Sequence, residues 1–452
     1  MKIVIIGDGK VGHLLAKQLS ECNYDVVLID NNSKRLKQTI NELDINCVEG
    51  NGVSSQILLE ANVNEADLVI SCTPMDEVNM ISSLMVKKLG ARQTVARVRN
   101  PIYYHEMDLL KNDLEIDVAI NPDFAMAQEI TRVLIFPAAI KVETFVNGRV
   151  ELVELKMPPE NPLLGQTLAD IYKKYNIKFL ICAIQRGEDI FIPNGSFILE
   201  AKDKINVIAS HHEIKQFFKI IGTYRTKVKT VMICGGSKTA YYLAQKLLSL
   251  GMNVKIIEKN EDKCRELSDM LPKATIIWGN AADHELLQEE GITRADAFLA
   301  LTGVDEENII MSLFVQSKNV PKVITKVNSD SLHSITNQLE LDSVVSPKRV
   351  TANAIISYVR AMENSLSSDH IETLYRLVDD KLEAMEFIAK EHTAYINIPL
   401  KQLPLKENIL VACIVRRRKT IIPSGDDIIL AGDSVIIVTR NPVNKLADII
   451  SG

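Results

Sequence analysis

The first chemistry in the chain lies in a glycine turn. Gly7-Asp8-Gly9-Lys10-Val11-Gly12 spells G-x-G-x-x-G between an apolar run, Lys2–Ile6, and a helical one, Val11–Cys22. The first glycine allows the tight bend, the second lets a pyrophosphate reach the backbone, and the third lets the helix lie close on its strand. Unpaired N–H groups at the helix start, with the helix dipole, then hold the negative charge. The next apolar run, Val26-Val27-Leu28-Ile29, ends on Asp30. A carboxylate there accepts both hydroxyls of an adenosine ribose and repels a 2′-phosphate. That favours NAD(H) over NADP(H) and admits ATP or ADP, which carry the same diol.

An altered version of the pattern returns in the second half. The turn there is Gly235-Gly236-Ser237-Lys238-Thr239-Ala240, and Glu258 takes the place of Asp30. Alanine suits the last position, but Ser237 adds a side chain where phosphate would come closest. The second site is therefore expected to bind more weakly or to prefer a different nucleotide. Further candidates fall where strand ends approach a ligand. Gly50-Asn51-Gly52 and Gly279-Asn280-Ala281 are small polar turns suited to border an adenine. Thr73-Pro74-Met75-Asp76-Glu77 with Asn79, and Thr302-Gly303-Val304-Asp305-Glu306 with Asn308, read as helix capping by Thr or Asp, alone or with ligand contact. Arg97, at the end of the run Thr94–Val98, is a candidate phosphate contact, and Lys326 is its counterpart.

What positions these residues is a duplicated scaffold. Residues 66–79 and 295–308 share Ala, Asp, Thr, Asp, Glu and Asn in register, and Asn121-Pro122 aligns with Ser346-Pro347. The pattern Ile192-Pro193-x-Gly195 recurs as Ile422-Pro423-x-Gly425. These are two large copies, not a solenoid of short repeats. Each copy begins with apolar runs alternating with amphipathic helices, the mark of a parallel sheet covered on both faces. Each ends in short strand-like runs between Pro and Gly turns, such as Val150–Leu155, Phe179–Ile184 and Lys204–Ile208. The expected class is α/β: two Rossmann-like doubly wound domains, at 1–133 and 229–358, each followed by a small α+β module, at 137–222 and 370–452. Thr223–Lys229 is the candidate linker.

Composition narrows the function classes. The 452 residues are 46% hydrophobic but only 5% aromatic, which suits strands of Ile, Val and Leu flanked by helices. A net charge of −6 does not fit a general nucleic-acid binder. No apolar run approaches the roughly 18–20 residues of a bilayer span, and the first residues do not read as a signal peptide, so a cytoplasmic protein is expected. Seven scattered cysteines with no C-x-x-C pair read as reduced core residues, and the eight histidines form no metal-binding cluster. Arg416-Arg417-Arg418-Lys419 reads as an exposed hairpin turn, His13 as helix surface, His211-His212 as solvent-exposed and Asp379-Asp380 as a solvated loop.

Taken together, the residues resemble the TrkA-type regulatory subunits of bacterial and archaeal Trk potassium uptake systems, which carry tandem RCK N- and C-terminal domains. The resemblance rests on GDGKVG at 7–12, VVLID at 26–30, GNG at 50–52, T-x-x-D-E-x-N, ARVRNP at 96–101, INP at 120–122 and the duplicated I-P-x-G. It covers the chain in order, and twice. It implies a cytosolic homotetramer, a dimer of dimers, forming a ring beneath a potassium-translocating membrane subunit. Binding of NAD(H) or ATP/ADP would gate transport, without catalysis and without nucleic acid. The implied contacts are Gly7, Asp8, Gly9, Lys10, Val11, Asp30, Asn51, Gly52, Thr73, Pro74 and Arg97. In the second copy they are Gly235, Gly236, Ser237, Lys238, Thr239, Glu258, Asn280, Ala281, Thr302 and Lys326. Departures at Ser237, Ala240 and Lys326 set the second group apart, and family members often carry Asp where Asn51 and Asn280 stand. An RCK ring serving another channel or antiporter is the alternative of the same build. An NAD-dependent dehydrogenase would need an acid/base and a substrate anchor, yet the two copies share no His, Cys or Lys at a repeated, plausible catalytic position.

Overall fold

Unbroken runs of Ile, Val and Leu make strands that must be covered on both faces, and the first copy supplies six in one parallel sheet. They are β1 (Lys2–Ile6), β2 (Asp25–Asp30), β3 (Asn46–Glu49), β4 (Leu68–Ser71), β5 (Gln93–Arg97) and β6 (Val118–Ile120). The computed structural model describes residues 1–175, 178–223, 227–339, 341, 343–365, 371–378, 381–391, 393, 395–441, 443 and 445–450. Part of the candidate linker (224–226) and Asp379-Asp380 lie outside the described residues.

The strand order is β3-β2-β1-β4-β5-β6. Ile6 lies opposite Ile29 of β2 on one side and Ser71 of β4 on the other. The order reverses between β1 and β4, and doubly wound sheets bind ligands in the crevice at that reversal, beyond the carboxyl ends of the strands. The second copy repeats the sheet with strands Thr230–Cys234, Asn253–Glu258, Thr275–Trp278, Ala297–Ala300, Lys322–Lys326 and Ser343–Val345, in the same order. At the opposite end, the duplicated Ala-Asp has a clamping role. Asp67 Oδ2 accepts the Lys2 N–H at 2.9 Å, and Asp296 Oδ2 accepts those of Lys229 and Thr230 at 2.8 and 2.9 Å.

The smaller parts each carry a five-stranded antiparallel sheet. The first runs in the order Asp189–Phe191, Phe179–Arg186, Lys204–Ser210, Val150–Lys156 and Lys141–Phe145. In the second, strands Ile371–Leu377, Leu382–Ile388, Ser434–Thr439, Ile409–Arg416 and Lys419–Ile421 follow one another. Compactness pairs like with like. One unit joins Met1–Ile130 with Lys229–Ile356, and the other joins Thr131–Val228 with Ser357–Gly452. Within the latter, Phe145, Leu152 and Cys182 share a buried cluster with Leu382, Cys413 and Ile436. The seam is pinned where Tyr375 donates its hydroxyl to the Thr144 carbonyl at 2.9 Å, and where Glu386 Oε2 accepts the Val146 N–H at 3.0 Å.

None of the seven cysteines forms a disulfide, and five of them are buried. Among the described residues no helix is long and apolar enough to cross a membrane.

Candidate functional site

The first turn is shaped by two steric demands. Gly7 adopts φ +108°, a region L side chains avoid, and its N–H donates to the Ile29 carbonyl at 2.8 Å. A methyl on Gly12 would lie 1.8 Å from the Gly7 carbonyl oxygen, so only glycine lets the helix Lys10–Glu21 start this close to β1. Gly9 is the contrast: a methyl there would meet nothing within 4 Å. It precedes the helix with no side-chain cap, and the first turn holds no acidic residue. No side chain therefore caps the leading N–H groups, which suits a phosphate.

Asp8 turns its side chain away from this face. It is 5% exposed, and its Oδ2 accepts the Thr39 hydroxyl at 2.7 Å, so its contribution to the turn is its backbone. That backbone N–H donates to Asp30 Oδ2 at 2.6 Å, while the Asn32 N–H donates to Asp30 Oδ1 at 2.8 Å. The Asp30 carboxylate is thereby fixed at the cleft edge, and each oxygen keeps acceptor capacity for ribose hydroxyls. Lys10 is exposed beside the turn, and Val11 is buried beneath it.

The T-x-x-D-E-x-N motif does something the sequence did not suggest. Met75, not Thr73 or Asp76, occupies the N-cap of the helix Asp76–Leu89. Asp76 Oδ2 instead reaches across to accept the backbone N–H groups of Arg99 and Asn100 at 2.9 and 2.6 Å. Asn79 Oδ1 accepts from the Thr73 N–H and hydroxyl, both at 2.8 Å, and its amide donates to the Thr73 and Arg97 carbonyls at 3.0 and 2.9 Å. The motif thus ties the loop after β4 to the loop after β5. Pro74 is exposed at its tip. Arg97 is held at the junction and has a buried Nε with no hydrogen-bond partner among the described residues. Burial pushes its pKa down, and the neighbouring Arg99 adds to the effect. A desolvated guanidinium with a spare donor is a fit receiver for an anionic oxygen.

Asn51 is exposed and bends its own turn, its Oδ1 accepting the Val53 N–H at 3.2 Å; Asn280 does the same for Ala282 at 3.1 Å. The Gly52/Ala281 difference is a packing matter. A methyl on Gly52 would sit 2.2 Å from Ile6 Cγ2, whereas Cys234 fills the Ile6 position of the second copy and packs in one cluster with Ala281. Volume is exchanged across the pair.

The second turn keeps the frame and changes its face. Gly235 has φ +100° and donates to the Ile257 carbonyl at 2.8 Å. Glu258 repeats the Asp30 contacts, accepting the Gly236 and Asn260 N–H groups at 2.6 and 2.8 Å, but it is only 8% exposed. Ser237 Oγ accepts the Ala240 N–H at 3.3 Å, spending a donor that the first copy leaves open. Lys238 is exposed. Thr239 donates its hydroxyl to Asp123 of the first copy at 2.7 Å. Asn308 staples Thr302 as Asn79 does Thr73 and donates to the Lys326 carbonyl at 3.0 Å. The Lys326 ammonium is buried and donates to the Leu301 carbonyl at 3.1 Å; burial lowers its pKa against the pull of Asp123 and Asp305.

Three side features depart from expectation in part: the exposed turn holds at Arg417, Arg418 and Lys419, and the solvent exposure at His212. His13 is not plain helix surface: it packs between Asp8 (Nδ1 to Oδ1, 3.4 Å), Thr39 (3.1 Å) and Glu42 (3.3 Å), because two helices converge behind the turn. His211 contacts Glu151 at 2.7 Å and lies against the Phe136 ring, while His212 is exposed. Arg416 forks onto Asp433 at 2.7 Å, as Arg186 does onto Asp203 at 2.8 Å, leaving Arg417 and Arg418 at the hairpin tip with positive φ. Asp76, Asn79, Arg99 and Asp123 were absent from the sequence-derived contact set. The first two lay in a motif already singled out. The signal for Asp123 is a charge reversal, since Lys348 holds its place in the repeat.

The comparisons with known proteins follow this architecture. The TrkA-N domain family matches residues 3–122 and 231–347, and the TrkA-C domain family residues 152–222 and 384–451. The chain is 33% identical over 452 residues to a Trk system potassium uptake protein TrkA homolog of Archaeoglobus fulgidus, covering 99% of this chain and 100% of that protein. It is 31% identical to the Trk system potassium uptake protein TrkA of Haemophilus influenzae, covering 98% and 97%. In fold it is similar to the crystal structure of the GsuK RCK domain, with TM-score 0.62 at 17% identity over 97% of this chain and 92% of that one. With both families matched twice, in the order the duplication sets, and likeness along its whole length, the chain belongs to the TrkA family.

Proposed function

We propose that this chain is a cytosolic, nucleotide-sensing regulatory subunit of a Trk-type potassium uptake system. In this reading it binds NAD(H), ATP or ADP in its Rossmann-like clefts and acts on a potassium-translocating membrane subunit. The observation that supports the reading is the first turn: a helix start at Gly9 with no side-chain cap, a fixed Asp30 carboxylate and an unpartnered Arg97 donor all lie at the carboxyl ends of strands in a sheet whose order reverses between β1 and β4. The turn from Gly7 to Gly12 and Arg97 would hold phosphates, Asp30 the ribose, and the Asn51-Gly52 and Thr73-Pro74 turns the base side. The counterparts Gly235 to Thr239, Glu258, Asn280, Ala281, Thr302 and Lys326 frame the second cleft. A channel of the same fold is known bound to NAD, which supports the choice of ligand class.

The role is regulatory and not catalytic. Asp8 is engaged by the Thr39 hydroxyl, and Asp76 and Asp305 each hold the loop that follows the next strand. Assembly is as a homotetramer at the inner face of the membrane, reached through the partner. A ligand shifts such a ring only by its difference in affinity between two states, and the partner's effect on ligand affinity is reciprocal. The test is reconstitution: potassium flux through a Trk membrane subunit in liposomes, with and without this chain and each nucleotide. A nucleotide-dependent change in flux supports the reading. Flux indifferent to the chain, or sustained NAD reduction by the chain with a hydroxy-acid or alcohol panel, refutes it.

A further inference from the structure

Asp123 is a carboxylate of the first copy that ends in the glycine turn of the second. It is 6% exposed, its Oδ1 accepts the Thr239 hydroxyl at 2.7 Å, and its Oδ2 accepts the Arg99 Nε–H at 2.8 Å. Thr239 is the second residue of the helix Lys238–Ser249, whose leading N–H groups would have to meet a phosphate. We propose that Asp123 closes the second cleft to phosphate-bearing ligands, so that each chain takes up a single nucleotide, in its first cleft. The inference narrows the nucleotide-sensing reading above from two clefts to one and rests on that reading for the first cleft.

Three observations support the assignment independently. The Ser237 hydroxyl already satisfies the Ala240 N–H, where Gly9 of the first copy offers nothing. Both cations have carboxylates as counter-charges, Asp76 and Asp123 for Arg97 and Asp123 and Asp305 for Lys326, but Lys326 already donates to the Leu301 carbonyl, whereas Arg97 keeps a buried Nε unpartnered. The Glu77 carboxylate of the first copy also lies within electrostatic reach of Lys238. A helix N-terminus stabilises one anion well. Here a carboxylate is built in and held from two sides, by Thr239 and by its ion pair with Arg99, and a pyrophosphate would bring further negative charge beside a buried carboxylate, where repulsion is poorly screened. The repeat sets Lys348 at the position of Asp123, so the corresponding place in the other copy carries a cation.

Titration calorimetry of the full chain with ADP and with NAD tests this by stoichiometry. Trp278, the single tryptophan, is 64% exposed and pairs in register with Glu258, so its emission reports on the second cleft. The expected result is one nucleotide per wild-type chain. Asp123→Asn should bind a second, with at least tenfold tighter affinity there, a change in Trp278 emission, and loss of that second event in the added Glu258→Ala background. Thr239→Val removes the hydrogen bond but keeps the charge, and it should stay at one. Asp123→Ser replaces Asp123→Asn should the latter unfold. Two Glu258-dependent sites in the wild type, or no second site in either neutral variant, overturn the proposal. A wild type that binds nothing while Asp123→Asn binds one Glu258-dependent nucleotide supports it and refutes the first-cleft reading instead.

Discussion

The side-chain amide of Asn79 donates to the Arg97 carbonyl at 2.9 Å, and Asn308 makes the same bond to Lys326 at 3.0 Å. One asparagine in each copy thus fixes the strand end that carries the candidate phosphate cation. Asn79 is fully buried and uses both halves of its amide, so its loss leaves backbone groups unpaired. Asn79→Ala is expected to cost about 1–3 kcal/mol in urea denaturation and to weaken nucleotide binding as well. A variant with wild-type stability and affinity would end the positioning role.

Two glycines only three residues apart should fail in opposite ways. Gly12→Ala puts a methyl 1.8 Å from a backbone oxygen, so it should destabilise the first Rossmann-like domain with or without nucleotide. Gly9→Ala has room and an ordinary φ of −81°. Its methyl occupies the phosphate face, so the melting temperature without ligand should hold while nucleotide affinity falls at least tenfold. Equal melting temperatures for the two variants would contradict the geometry.

The duplicated Ala-Asp clamp predicts acid sensitivity with a definite sign. The backbone N–H of Lys2, aided by Arg92, holds the Asp67 carboxyl below its ordinary value; for Asp296 burial opposes the shift, but the Lys229 and Thr230 N–H groups outweigh it. A depressed folded pKa gives stability that is present above the unfolded value of about 3.9 and lost as pH falls through the folded one. Asp296→Asn should therefore cost roughly 1–3 kcal/mol at pH 7, and the gap should narrow below about pH 4. A gap independent of pH would refute the clamp.

Much of the fold was legible because its cause is periodic. Val26–Ile29 and Leu68–Ile70 are apolar throughout, as strands covered on both faces are, and their shortness between turn residues argues against buried helix. The glycine turn was legible because sterics at Gly7 and Gly12 leave no other residue. What escaped were contacts between elements far apart in sequence. Asp76 looked like a cap because it opens a helix, yet it serves the loop at Arg99 and Asn100. Asp123 lies in the first turn of the helix Pro122–Ile135, and nothing local says that its partner is Thr239. Sequence neighbours report propensity, and side chains that bridge loops report topology.

Tyr375 offers a check on the seam between the small modules. Burial pushes its hydroxyl up to about 12, so it stays a neutral donor to Thr144 across the working range. Tyr375→Phe should cost about 1 kcal/mol, equally at pH 6 and pH 9. A loss confined to the alkaline side would mean that the hydroxyl titrates and is not buried as described.

The proposed function turns on a nucleotide held between the N–H groups that open the helix after Gly9 and the Asp30 carboxylate. Thermal shift of the full chain with NAD, NADH, ATP and ADP, in wild type and Asp30→Ala, tests it most directly. At one hundred times the dissociation constant a bound ligand adds about 2.7 kcal/mol. At least one nucleotide should raise the wild-type midpoint by an amount matching that stabilisation, and the rise should vanish in Asp30→Ala. No shift with any of the four, or an equal shift in the variant, would contradict the account.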